Sequence, residues 1–170
     1  MSKNAKPRKA YKPRALINPI RAARALAGKL LPSEIAQMMD PVHECFDLLR
    51  QGKWMNSHFS HMANVFNVAQ ALTGPGFNLL NDHVGKFDAA QQVLADLAER
   101  RVQGKGWTCY ANELTIMATA IEFYGYQIDF VSSGELLRAT MHVDNVIKGA
   151  RSGSPGKGHI HTVLPAEEMA

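Results

Sequence analysis

Seven histidines and two cysteines are the side chains in this sequence best suited to holding a metal ion. His58 and His61 are three residues apart, so on a helix they share one edge and could supply two ligands. A zinc site needs a third or fourth donor. His43, Cys45 and His83 stand at no diagnostic spacing from that pair, and His159 and His161 fall in a Gly-containing tail. The expectation is that no metal and no cofactor is bound, with the histidines serving as surface or interface residues.

Nucleophilic and acid–base chemistry find less support. Cys109 beside Tyr110 would act as a nucleophile only with a base close in space. Glu113, Glu122 and Asp129 lie on one long helix, where Glu122 and Asp129, seven residues apart, share a face and, without His partners, read as a solvated edge. Gly74-x-Gly76 lacks the strand that precedes a phosphate loop, and neither Gly-x-Ser-x-Gly nor a dinucleotide fingerprint occurs. No catalytic residue is assigned, and the chain is expected not to be an enzyme.

Two kinds of binding chemistry remain. Residues 1–33 hold nine of the 19 Lys and Arg side chains and none of the 15 acids, so the rest of the chain sums to −5. Within that segment Lys3, Lys6, Arg8, Lys9, Lys12 and Arg14 surround Tyr11. Such cations neutralise phosphates and release counterions, and Tyr11 could stack on an unpaired base. The arm would therefore bind nucleic acid weakly and without sequence preference. The second surface is uncharged. Residues 57–72 contain no Lys, Arg, Asp or Glu, and their polar stripe is Ser57, Ser60, His61, Asn64 and Asn67. Interface cores are depleted in charge. This stripe is thus a candidate protein contact, either a homodimer seam or a partner surface, unless the chain's own N-terminal segment covers it.

The elements that would position these groups are helices. Residues 1–17, rich in cations and poor in large apolar groups, are expected to be a disordered arm. Asn18-Pro19 starts a short helix to about Ala27. Pro32 to Met39 forms a further turn, and Asp40-Pro41 opens a helix closed by Gly52. A helix runs from Asn56-Ser57 to Leu72, and the next from Phe77 or Asn81 to Gln103, with Asp96 paired to Arg100 four residues on. From Ala111 to Val131 apolar residues cover so much of the circumference that this helix is expected to be central. Gly125 inside it marks a close crossing. Ser132 and Glu135 form a capping box for a last helix to Gly149, whose apolar residues are Leu136, Leu137, Met141, Val143 and Ile147. Residues 150–170 read as a flexible tail. The fold class is all-α, an antiparallel bundle of four to five main helices over residues 18–149. The longest apolar stretch, Leu114 to Val131, contains Glu122 and Asp129, which argues against a membrane span. No apolar run of signal-peptide length follows the basic start, so a cytoplasmic setting is expected.

The start Lys6-Pro7-Arg8-Lys9-Ala10-Tyr11-Lys12-Pro13-Arg14, followed by the Asn- and Ala-containing helix Asn64 to Leu72 and two more helices, resembles small phage- and prophage-encoded proteins of proteobacteria. That resemblance carries no assigned activity and no catalytic residue. It implies a protein acting in the cytoplasm of an infected or lysogenic bacterial cell. The expected function is a non-enzymatic accessory protein that binds a host or phage protein, for instance as an inhibitor of a defence or replication complex. The alternative is a nucleic-acid accessory protein that uses its basic arm. Under that alternative, six arm cations give a log–log salt slope of up to about −5 on duplex DNA. Fluorescence anisotropy with a labelled duplex should show that slope, and deleting residues 1–17 should abolish it. Unchanged affinity after the deletion rules the arm out.

Overall fold

The computed structural model describes residues 26–74 and 84–151. The regular elements among them are five helices: α1 (Pro32–Arg50), α2 (Asn56–Leu72), α3 (Val84–Val102), α4 (Ala111–Phe130) and α5 (Ser133–Arg151). α2 and α3 run antiparallel, as the bonded pairs Asn67–Gln91 and Gln70–Asp88 between them show. No helix among the described residues is long and apolar enough to cross a membrane. The expected arm, residues 1–17, lies outside the described residues, as does the tail beyond Arg151.

Local hydrogen bonds set the helix ends. At the starts of α1, α2, α4 and α5 the third helical residue reaches back to the N–H of the capping position. Glu34 accepts from Leu31 at 2.7 Å, His58 Nδ1 from Met55 at 3.1 Å and Glu113 from Tyr110 at 2.8 Å. Ser132 and Glu135 make the full reciprocal box expected for α5, with Ser132 Oγ accepting the Glu135 N–H at 3.2 Å. At the other end of α3, Gly104 adopts φ +79. Its N–H bonds to the Arg101 carbonyl at 3.1 Å and the Lys105 N–H to that of Arg100 at 2.9 Å, a pair of bonds that needs the left-handed residue.

Three expectations are corrected. First, the segment from Pro32 to Arg50 is one helix, not a turn followed by a helix, with Pro41 in its interior. An interior proline costs about 3 kcal/mol. Breaking the helix there would part Ile35, Met38 and Met39 from Val42, Cys45 and Leu49, which pack on one core. Second, the central helix is α2, not α4. It packs against all four other helices, and eleven of its 17 residues are buried. On α4, Thr115, Ala118, Glu122, Tyr126, Asp129 and Phe130 face solvent. Third, α5 turns Ala139 and Val143 inward, with Leu136 and Ile147 against the core, while Leu137 and Met141 are 47% and 55% exposed. At about 100° per residue, those two lie roughly 115° and 155° round the helix from the mean direction of the inward stripe.

The described chain begins on the start of α5. Lys29 forms an antiparallel bridge with Ser132, and the Ser133 N–H bonds to the Gly28 carbonyl at 3.0 Å. Gly134 faces this strap so closely that a Cβ there would sit 2.7 Å from the Leu26 carbonyl oxygen. At Gly125 a Cβ would meet only the end of the Met39 side chain, at 3.4 Å. Gly134→Ala should therefore destabilise by about 1–3 kcal/mol. Gly125→Ala should be neutral or stabilise by up to about 1 kcal/mol. Urea unfolding of both variants checks the contrast, and equal effects would refute it.

Candidate protein-interaction groove

The uncharged stripe of α2 is split by the fold. Ser57 and Asn64 are exposed, Ser60 and His61 are half-buried, and Asn67 is 1% exposed. The Gln91 side-chain amide donates to Asn67 Oδ1 at 2.9 Å and to Gln70 Oε1 at 3.1 Å, and Gln70 donates to Asp88. Asn67 is thus committed to a contact inside the chain, and only the first two turns of the stripe reach the surface. The Gln127 amide donates to the Ala69 carbonyl at 3.1 Å, tying α4 to the same helix.

The two histidines of that stripe have different tasks. His58 caps α2 through Nδ1. Burial, and after it the charge of His58, push His61 below the usual imidazole range. No group of three or more His, Cys, Asp and Glu among the described residues could hold a metal ion. The nucleic-acid residues expected from the sequence, Lys3 to Arg14, lie outside the described residues.

Arg100 pairs not with Asp96 but with the buried Glu113. The two form a fork-shaped ion pair, with three contacts of 2.8–2.9 Å and side chains only 13% and 9% exposed. Asp96 accepts instead from Gln92. Burial disfavours the guanidinium charge, but the hydrogen bonds and charge of Glu113 outweigh it and hold Arg100 above its ordinary range. Arg100 also lies over the Tyr110 ring, 4.8 Å from its centroid. Cys109 sits beside this pair. Its thiol is pushed up to about 12, first by burial and then by Glu113, the reverse of what an activated nucleophile requires.

The surface with the most distinct chemistry is a groove of about 450 Å³ between α1 and α4. Ile35, Met39 and Phe46 of α1 and Ile121 and Gly125 of α4 make its largely apolar floor. These positions recur every three or four residues on both helices, at the edge of the stripe each buries against the core. The crossing expected at Gly125 is where Met39 comes closest. The rim is acidic. Glu122 and Asp129 line it on α4, and Tyr126 donates to Glu122 at 3.1 Å. Asp40, Glu44 and Asp47 are exposed on α1, flanking His43. Together the two helices carry seven acids and one base, Arg50, which lies 3.6 Å from Asp47. The acidic spacing was visible in the sequence, whereas the juxtaposition of these two helices was not. No family model, curated protein or solved structure matches the chain.

Glu113→Gln leaves the Arg100 charge enclosed without its counterion. The expected loss is about 3 kcal/mol, as for other broken buried pairs. Asp96→Asn, which removes the acid expected to pair with Arg100, should cost under about 0.5 kcal/mol. Denaturant midpoints of the two variants measure the difference.

Proposed function

We propose that this chain is a non-enzymatic binding protein that captures a partner protein by seating one of its basic amphipathic helices in the groove between α1 and α4. The observation that carries this reading is an apolar floor bordered on α4 by Glu122 and Asp129, with Asp40, Glu44 and Asp47 exposed along α1. An amphipathic helix laid in a groove buries its apolar anchors while its flanking cations meet the rim. The complementary charge speeds encounter and sets orientation more than it adds affinity. A partner of this chemistry fits the expectation of a host or phage protein contacted in the bacterial cytoplasm by a phage- or mobile-element-encoded accessory protein. The raised thiol of Cys109 and the closed Arg100–Glu113 pair support a binding role over a catalytic one. The uncharged surface of Ser57, Ser60, His61 and Asn64 would be a second contact, suited to a homodimer seam. The basic arm supports nucleic-acid binding as the alternative.

A labelled helical peptide with leucines at helical spacing and lysines elsewhere tests the reading by anisotropy on the full chain. It should bind, and an equivalent Leu/Glu peptide should not. Reversing the rim with Glu122→Lys and Asp129→Lys should weaken binding by at least about tenfold. Both residues are exposed, so the fold should tolerate the change. Equal binding of the two peptides, or indifference to the reversed rim, would remove the groove from consideration.

A further inference from the structure

We propose that in the isolated chain the groove is occupied by the chain's own N-terminal segment, residues 1–25, so that arm and partner compete for one site. The inference rests on the groove being a site for basic amphipathic segments.

Position is the first argument. The strap at Leu26 to Lys29 is anchored on Ser132, Ser133 and Gly134. Ser132 follows Asp129, the last groove residue of α4, by three positions. The Lys29 amine lies 5.6 Å from the centroid of the Phe130 ring, next to that acid in the chain. The preceding segment therefore leaves the bundle at one end of the groove. Length is sufficient. The groove spans Ala118 to Asp129 on α4, roughly 16 Å of helix. Twenty-five residues can extend to about 80 Å.

Chemistry is the second argument. Residues 1–25 carry eight cations (Lys3, Lys6, Arg8, Lys9, Lys12, Arg14, Arg21 and Arg24) and no acid. Leu16, Ile17 and Ile20 lie between Arg14 and Arg21, offering apolar anchors framed by cations. The groove presents the complement, an apolar floor with Glu122 and Asp129 beside it. A tether this short gives a local concentration in the millimolar range, so a weak contact suffices for occupancy. Seated there, the arm is withheld from phosphates. A partner helix that displaces it also releases a polycation.

The test uses the full chain as an equimolar mixture of isotopically light and heavy copies, treated with a carbodiimide that joins lysine amines to carboxylates without a spacer. Mass spectrometry should find Lys3, Lys6, Lys9 or Lys12 joined to Glu122 or Asp129 within one copy. Links to acids outside the groove, such as Glu99 or Asp144, or the absence of links, would overturn the proposal. Light-to-heavy links would overturn it in favour of a second copy's arm. A second measurement compares the Leu/Lys peptide on the native chain and on a full-length variant with Lys6, Arg8, Lys9, Lys12 and Arg14 replaced by Gln. The variant should bind at least about tenfold tighter. Equal affinity defeats the arm as occupant while leaving the groove intact, and no binding to either defeats the groove itself.

Discussion

From Val65 to Leu72 every residue of α2 is buried among the other helices, so this stretch has no face on which a charge could stay hydrated. Ionised groups buried without partners are far costlier than neutral ones. The stretch accordingly uses amides, Asn67 and Gln70, where a surface helix would carry Lys or Glu. Amides still need hydrogen bonds once buried. α3 supplies Gln91 and Asp88 for them, and α4 sends Gln127 to the Ala69 carbonyl. These bonds fix how far each helix slides along α2. A one-turn slip of α3 would separate Gln91 from both acceptors, a penalty that apolar packing alone would not impose.

With α2 held, one end of the bundle is closed by two further devices. At one turn the Trp54 indole donates to the Cys45 carbonyl at 2.8 Å, and Trp107 stacks on Phe59 with ring centroids 5.1 Å apart. This joins the α1–α2 and α3–α4 turns on the same side of the molecule. Close by, the Arg100–Glu113 fork spans the α3–α4 connection, and Glu113 also caps α4. One carboxylate thus serves both the helix start and the ion pair, which explains why an acid is found at a buried position.

The groove follows from the same arrangement. α1 and α4 each bury a stripe against α2 and meet at Met39 and Gly125, leaving a trough on their outer side. Seven of the 15 acids lie on these two outer helices and none on α2, while nine cations sit in the first 33 residues. A chain with charges so divided has an internal attraction before any partner arrives. Protein binding and polyanion binding, which looked like rivals from the sequence, become linked if the acidic groove and the basic arm are each other's first ligand.

Helix number, most helix limits and the division of charge were determined by the sequence alone. Each depends on residues within a few positions of one another: Ser132 with Glu135, Gly104 after Arg101, the repeat of Phe59, Met62 and Phe66. The position of α2 at the centre, the inward face of α5 and the continuity of α1 through Pro41 were decided only by the tertiary structure. Apolar spacing states that a face will be buried, not which neighbour buries it. The widest apolar helix, α4, was a reasonable choice for the centre, yet its outer side faces solvent beside the groove. Arg100 could reach an acid four residues before it or one thirteen residues after it. It pairs with Glu113 because a fork held in a partly dry site is stronger than an exposed pair on one helix. The groove was hidden for the same reason. Its two walls lie more than seventy residues apart in the chain, and no local pattern records that they meet.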